Sequence, residues 1–179
     1  MGINHIGTKT IFTDRLFLRK ATIDDALALC SGLFNQPEFL YYTNKQPVTR
    51  EQTTDYLKAI QEKYKQLDYY NWVIEEKLTK NIVGMINLRV LDKNNSVEFN
   101  YATDNRYTNN GYMTETLSSI INFALNTMKV NRVQGGCAVE NIASKRVMEK
   151  CGLYFEGTLK KYLKLNDGYH DMHMYAITK

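Results

Sequence analysis

Apolar and polar positions recur along this chain with two periods, and each period indicates one kind of secondary structure. Between Ser96 and Thr103 apolar and polar residues alternate, as they do in a half-buried strand. One face of this strand carries Val97, Phe99 and Tyr101, and the other carries Glu98, Asn100 and Ala102. Over 111–128 apolar residues instead recur every three or four positions, which is typical of an amphipathic helix.

The same reasoning predicts seven strands and four helices. The strands cover 14–20, 70–75, 82–90, 96–103, 132–139, 154–164 and 169–178. The helices begin at Thr22, at Thr49, near 111 and at Asn141. Because 96–139 runs strand, helix, strand, we expect a parallel crossover there, whereas the consecutive strands before it are predicted to be antiparallel. We therefore predict an α+β fold with α/β-type layering, in which helices cover both faces of a mixed central sheet of about seven strands.

Composition narrows the class of protein. The chain has 179 residues, 44% of them hydrophobic and 23% charged, which excludes a disordered chain and predicts a single domain over 1–179. The first nine residues, 1–9, are expected to be loosely ordered, as free termini usually are. A formal net charge of +4 without a dense basic run argues against direct nucleic-acid binding.

The cysteines and the apolar runs bear on location. Three cysteines without a C-x-x-C pair predict neither a disulfide framework nor a metal site, and favour a reduced, cytoplasmic protein. No apolar run is long enough to cross a membrane, so no membrane partner is expected. His170 and His173 are three residues apart on a predicted strand, so their side chains would face opposite sides of the sheet. This argues against a metal site that both share. Cys137 is interpreted as a buried, inert thiol.

Two helix starts are candidates for chemistry. The turn over 106–113 is rich in Asn and contains Gly111, and it leads into the long helix, whose first N–H groups favour an anion such as phosphate. The segment over 141–153 follows a strand and carries Lys145, Arg146 and Lys150. Taken singly, the first is equally an ordinary helix start, and the second an ordinary capped helix with a solvated basic face.

Together and in this order, the two segments resemble the GNAT superfamily of acetyl-CoA-dependent N-acetyltransferases, within which the RimJ/RimL-like branch acetylates protein N-termini. The resemblance runs from about Thr13 to Thr178. Its matching pieces are Thr13–Arg19, Ile82–Ile86, Glu98–Tyr101, Asn110–Glu115, Asn141 and Ser144 through Glu149–Gly152, and Glu156–Gly157. It implies the GNAT acyl-CoA N-acyltransferase fold, with acetyl-CoA as co-substrate and no metal.

The resemblance also implies a set of cofactor contacts. The family's phosphate loop falls on Thr108, Asn109, Asn110, Gly111, Tyr112 and Met113. Thr108 replaces the usual Gln or Arg, and Met113 replaces a small residue, but backbone amides do most of the pyrophosphate binding in this family. The pantetheine arm is expected to pair with the backbone of Ala102 and Thr103. Asn141 matches a residue that contacts the cofactor arm, and Arg146 is a weaker candidate for a CoA phosphate.

The catalytic candidates come from the same resemblance. Glu98 stands where this branch often carries its general base, although it is equally an ordinary paired surface carboxylate. Many GNAT enzymes use a Tyr seven residues after the motif Asn to protonate the departing thiolate, and here that position is Met148. Ser144 is then the best candidate for the acid. The alternative is that Ser144 bonds only to the local backbone.

Candidate acceptors can be compared by the free-energy cost of deprotonating their amines. At pH 7.4 this cost is about 0.5 kcal/mol for an α-amine and about 4 kcal/mol for a lysine amine. We therefore predict a protein or peptide N-terminal α-amine as the acceptor, and a small amine (a polyamine, amino acid or antibiotic) or a non-catalytic acyl-CoA-binding module as alternatives. Phe39, Tyr41, Tyr42 and Asp171 are candidates for the acceptor cleft. Dimers are common in this branch, so the resemblance allows a homodimer.

Overall fold

One eight-stranded sheet runs through the computed structural model, which describes residues 2–179. Its strands are β1 (Ile11–Phe12), β2 (Leu16–Arg19), β3 (Tyr70–Glu76), β4 (Ile82–Leu91), β5 (Ser96–Thr103), β6 (Arg132–Ala138), β7 (Tyr154–Leu165) and β8 (Gly168–Thr178). Their order in the sheet is β1-β2-β3-β4-β5-β6-β8-β7. The pair β5–β6 is parallel and every other pair is antiparallel, so the predicted mixed sheet and parallel crossover are confirmed.

Five α-helices accompany this sheet in the described part of the chain. They are α1 (Ala26–Leu29), α2 (Pro37–Thr43), α3 (Arg50–Lys63), α4 (Tyr112–Asn122) and α5 (Ile142–Lys150). A 3₁₀ turn over Ile23–Asp25 precedes α1, and a π turn over Cys30–Phe34 follows it, so the helix predicted from Thr22 is three short turns of different pitch. A π turn likewise extends α4 over Phe123–Met128 and reaches the predicted end at 128.

Two apolar cores lie on opposite faces of the sheet. One contains Phe99 of β5 and Leu117 of α4, together with the aromatic residues of β3. The other contains Leu29 of α1, Leu57 of α3 and sheet residues such as Val73. The layering with helices on both faces is therefore confirmed, while the assignment of 1–179 to one domain stays a prediction.

Local signals predicted the long elements well and missed the short ones. The bounds of β5 agree with the predicted strand, and the Thr49–Gln52 capping box forms, with Gln52 N–H donating to Thr49 Oγ1 over 3.2 Å. The two-residue β1 and the helix α2 were not predicted. Each is too short to show a period. With β1 included, the sheet has eight strands instead of the predicted number of about seven.

Residues 4–9 contact the rest of the chain, whereas Met1 lies outside the described residues, and the loose order expected for 1–9 stays a prediction. Asn4 N–H donates to Met128 O over 2.8 Å, and Gly7 N–H donates to Leu67 O over 2.7 Å. Thr8 is only 4% exposed, and its hydroxyl bonds to the backbone of β3 and of the loop before it. These contacts satisfy backbone groups beside the start of β3.

The parallel strands β5 and β6 pair over only three residues each. Ser96, Val97 and Glu98 face Arg132, Val133 and Gln134. Beyond these pairs the strands diverge, so 99–103 of β5 and 135–138 of β6 border an opening that we call the wedge. A side chain at Gly135 would collide with the Phe99 ring, which lies beside the base of the wedge. The chain passes from the end of β5 to α4 and from the end of β6 to α5, which brings both helix N-termini to the open end of the wedge.

Candidate active site

The turn that leads into α4 leaves backbone donors free of side-chain caps. Gly111 is the N-cap of α4 with φ +77°, a left-handed conformation that glycine adopts without strain, and Asn109 is also left-handed with φ +63°. No side chain caps this helix end. The first N–H groups of α4 therefore lie at the positive end of the helix dipole beside the exposed residues 108–111, an arrangement that suits an anion.

An arginine that the sequence reasoning did not single out lies beside this turn. Arg15 Nη1 donates to Asn110 O over 3.0 Å, and the guanidinium lies 4.7 Å from the centre of the Tyr112 ring. Its Nε contacts Glu115 Oε2 at 2.7 Å. A guanidinium, itself paired with the Glu115 carboxylate, thus lies beside the turn.

The carboxylate of Glu115 collects several donors from the segment before β2. The Thr13 hydroxyl donates to Oε1 over 2.6 Å, and Arg15 N–H donates to the same oxygen over 2.8 Å. Burial raises the pKa of Glu115, but the hydrogen bonds from Thr13 and Arg15 outweigh it and hold the pKa below its ordinary value. Glu115 is therefore ionised at neutral pH and holds the Arg15 guanidinium in place.

The predicted pantetheine partners border the wedge. Ala102 and Thr103 pair with Met85 and Gly84 of β4 along one edge of β5. The other edge, which faces β6, has no strand partner beyond Glu98 in the described structure. Its backbone groups are thus available to an extended ligand.

On the opposite side of the wedge, Asn141 begins α5 as predicted. Its Oδ1 accepts from Ser144 N–H over 3.0 Å. Arg146 is exposed one turn into the helix, and no ion pair of Arg146 is found within 2–179. The cap is confirmed, whereas the contacts of Asn141 and Arg146 with a cofactor stay predictions.

Ser144 meets a hydroxyl from β5. Tyr101 Oη lies 2.8 Å from Ser144 Oγ and 3.3 Å from the Ser144 carbonyl oxygen. The alternative that Ser144 bonds only to local backbone is therefore wrong. Burial raises the pKa of Tyr101, and burial likewise raises the pKa of Cys137 to about 11. Both groups are protonated at neutral pH, whereas Met148 is fully buried in the core and donates nothing.

Glu98 lies on the other face of β5, because neighbouring residues of a strand alternate between faces. Arg89 Nη2 donates to both carboxylate oxygens over 2.9 Å, and Gln134 Nε2 is 3.4 Å from Oε2. The Glu98 side chain is 23% exposed, so it is a paired carboxylate that solvent still reaches. The base role of Glu98 stays a prediction.

The candidates for the acceptor cleft divide between two places. Tyr41 of α2 donates to Asp167 Oδ2 over 3.0 Å, and His170 Nε2 lies 2.9 Å from Asp167 Oδ1. His170 Nδ1 also contacts Glu140, and the hydrogen bond with Asp167 is the main reason why its pKa is raised. These contacts tie α2 to the β7–β8 hairpin.

The remaining candidates make other contacts. Phe39 packs against Phe34, with ring centres 5.3 Å apart, and Tyr42 packs edge-on against Tyr41. Asp171 lies 2.8 Å from Lys160 on β7. Their role in an acceptor cleft stays a prediction.

Two further features concern metals and membranes. His173 packs edge-on against Phe155, away from the carboxylates around His170. Over residues 2–179 no three His, Cys, Asp or Glu side chains gather as a metal site. No helix in that same range is long and apolar enough to cross a bilayer.

Comparison with known proteins identifies the family. A family described as an acetyltransferase (GNAT) domain matches residues 15–154. The uncharacterized N-acetyltransferase YoaA of Bacillus subtilis is 28% identical over 168 residues, 93% of this chain and 95% of that protein. A crystal structure of a GNAT-family acetyltransferase from Bacillus anthracis has a TM-score of 0.82 at 25% identity, and the match covers 95% of this chain and 98% of that one. RimL, a ribosomal α-N-protein acetyltransferase solved in complex with coenzyme A, has a TM-score of 0.78 at 20% identity with the same coverage. This chain belongs to the GNAT acetyltransferase family and is an N-acetyltransferase.

Proposed function

We propose that this enzyme transfers an acetyl group from acetyl-CoA to the N-terminal α-amine of a protein or peptide, in the manner of the RimJ/RimL-like branch. The observation that carries the proposal is the wedge between β5 and β6, with the uncapped N-terminus of α4 at its open end. The fold is shared with RimL, which was solved with coenzyme A, and that likeness supports the cofactor.

The residues around the wedge fit coenzyme A chemically. The backbone amides of Thr108–Met113 hold the pyrophosphate at the start of α4, and the Arg15 guanidinium adds a positive charge beside them. Of the two predicted pantetheine partners, Ala102 turns its N–H and C=O toward Met85 of β4, so Thr103 is the one that offers backbone groups at the open edge of β5. Asn141 contacts the cofactor arm, and Arg146 reaches a phosphate from α5.

The reaction needs a base on one side of the thioester and a donor on the other. Glu98, which accepts hydrogen bonds from Arg89, is the base that takes a proton from the acceptor amine, directly or through water. The neutral amine attacks the thioester carbon, and its nitrogen gives up one proton to Glu98 as the C–N bond forms. The C–S bond then breaks with its electron pair left on sulfur. Ser144 donates a hydrogen bond to that sulfur from the face of β5 opposite Glu98.

A small cationic amine is the alternative acceptor, and an acidic cleft would favour it. Glu140 and Asp167 are the carboxylates gathered beside α2, but both already contact His170. We therefore retain the α-amine, which requires the less powerful base. The non-catalytic alternative is not retained, because the chain is an N-acetyltransferase. A cytoplasmic location and a homodimer stay predictions.

Calorimetric titration with acetyl-CoA and with CoA tests the cofactor. We expect micromolar binding of each, and no binding at millimolar ligand would refute the proposal. Thiol release from acetyl-CoA then tests the acceptor, with peptides that carry a free N-terminus compared with the same peptides blocked at the N-terminus and with polyamines. Release only with free N-termini supports the α-amine, whereas equal release with blocked peptides that contain lysine, or release with polyamines alone, overturns it.

A further inference from the structure

At the wedge, the candidate hydrogen-bond donor Ser144 is paired with a second hydroxyl from a separate element. Tyr101 Oη of β5 and Ser144 Oγ of α5 are 2.8 Å apart, although the residues lie 43 positions apart in the chain. Position 148, where the family resemblance expects a proton-donating tyrosine, holds a fully buried methionine. The hydroxyl of Tyr101 is thus the phenol that this chain brings to Ser144.

Packing fixes the Tyr101 ring. Its plane lies within 5° of the Phe99 ring plane, with ring centres 5.9 Å apart, and its backbone pairs with the fully buried Ile86. Tyr101 nevertheless stands on the stretch of β5 that has separated from β6. The ring is therefore held firmly at the margin of the wedge.

The local geometry also limits where the hydroxyl protons can point. The Ser144 backbone N–H is already bonded to Asn141 Oδ1, so the residue is held at the first turn of α5. When Tyr101 donates its one proton to Ser144 Oγ, the Ser144 proton must point to another acceptor. The Cys137 sulfur is such an acceptor within the protein, and the sulfur of a bound cofactor would take its place. Burial raises the pKa of Tyr101, so its proton is retained across the physiological range.

We propose that Tyr101 is a positioning residue, which donates to Ser144 Oγ and so directs the Ser144 proton to the sulfur of coenzyme A in the wedge. The inference rests on the proposed function. As the C–S bond of the tetrahedral adduct breaks, the electron pair stays on sulfur and the Ser144 hydrogen bond stabilises the developing thiolate. The thiolate takes its proton from solvent, and the proton that Glu98 removed from the amine returns to solvent. Tyr101 stays neutral throughout.

The decisive readout is the pKa of the thiol of bound coenzyme A, which requires no acceptor. It is measured from thiolate absorbance against pH, with desulfo-CoA, which lacks the sulfur, as the matched blank. We expect the bound thiol to titrate about one pH unit higher in Tyr101→Phe than in the parent enzyme, because one hydrogen-bond contribution is lost. The blank must also cancel the signals of the ionisable groups near Tyr101 and Ser144. These groups are Cys137, Cys151, Lys145, Glu140 and Glu149.

A buried tyrosine of the same core supplies the matched control. Tyr175 is 1% exposed, and its hydroxyl contacts Glu149 at 3.5 Å instead of Ser144. Tyr175→Phe should leave the titration of the bound thiol unchanged. An equal shift in both variants, or none in Tyr101→Phe, would overturn the assignment.

Kinetics provide a second readout once an acceptor is found. We expect Tyr101→Phe to lower kcat about tenfold and Ser144→Ala about a hundredfold, with the Kd for coenzyme A unchanged in both. The double variant should be no slower than Ser144→Ala, because Tyr101 acts through Ser144. A rise in KM with kcat unchanged would show a merely structural role.

The failure of the proposed function can be told apart from the failure of this inference. Normal CoA binding without turnover would refute the proposed function, while the thiol titration would still decide the role of Tyr101. Absence of CoA binding would overturn both.

Discussion

The guanidinium of Arg15 and the carboxylate of Glu115 are 2.7 Å apart, although these residues lie one hundred positions apart in the chain. Their contact joins the start of β2 to the first turn of α4. It also places a positive charge against the turn where the backbone N–H groups are free.

Replacing Arg15 should therefore affect both the stability and the cofactor affinity. We expect Arg15→Ala to lower the free energy of unfolding by about 1 kcal/mol, a value discounted because half of the side chain is solvated. We also expect weaker binding of CoA. Thermal unfolding and calorimetry measure the two effects. Lys58→Ala, which breaks an exposed pair with Asp55, is the matched control and should change neither; unaltered CoA binding in Arg15→Ala would contradict the charge assignment.

Gly111 and Gly152 allow a controlled test of whether the turn before α4 binds the cofactor. Both have left-handed backbones, with φ +77° and φ +79°, so alanine at either position should cost about 1 kcal/mol of stability. Only Gly111 lies at the N-terminus of α4, whereas Gly152 follows α5. We expect Gly111→Ala to weaken CoA binding and Gly152→Ala to leave it unchanged. Equal affinities in calorimetry would show that the turn does not contact the cofactor.

Glu98 can be tested against a carboxylate with similar pairing. Glu98→Gln should lower kcat/KM about a hundredfold, because the amide accepts no proton. Glu156, which is paired with Arg132, is the control, and Glu156→Gln should retain the parent profile. Initial rates with the identified acceptor across pH measure both. An unchanged profile for Glu98→Gln would remove Glu98 as the base.

His170 should make the attachment of α2 dependent on pH. Hydrogen bonding to Asp167 raises the pKa of His170 in the folded protein, so the protonated form is favoured by folding. Its contribution is fully present below the unfolded value of about 6.5 and is lost as the pH rises through the higher folded-state pKa. The Tm difference between the parent and His170→Gln should thus be largest at acidic pH and shrink under alkaline conditions. A difference that is constant with pH would contradict this account.

The local pattern of the sequence determined the elements whose signals lie within a few residues. Alternation defined β5, and the side chains of Thr49 and Asn141 marked the starts of α3 and α5, because a cap contacts backbone only three residues away. The glycine at 111 likewise marked the start of α4, whereas anion binding by this turn stays a prediction. The family resemblance added the roles, and the GNAT family was then confirmed.

Tertiary structure alone decided how these elements meet. The separation of β5 from β6 after three pairs, the pairing of Tyr101 with Ser144 and the placement of Arg15 on the turn all join residues far apart in the chain. Such contacts depend on strand register and on the angle at which strands diverge, and neither leaves a period in the sequence. The short elements β1 and α2 were missed because each is too short to show a period in the sequence. The sequence therefore indicated which residues border the wedge. Only the tertiary structure showed that the Tyr101 hydroxyl faces Ser144.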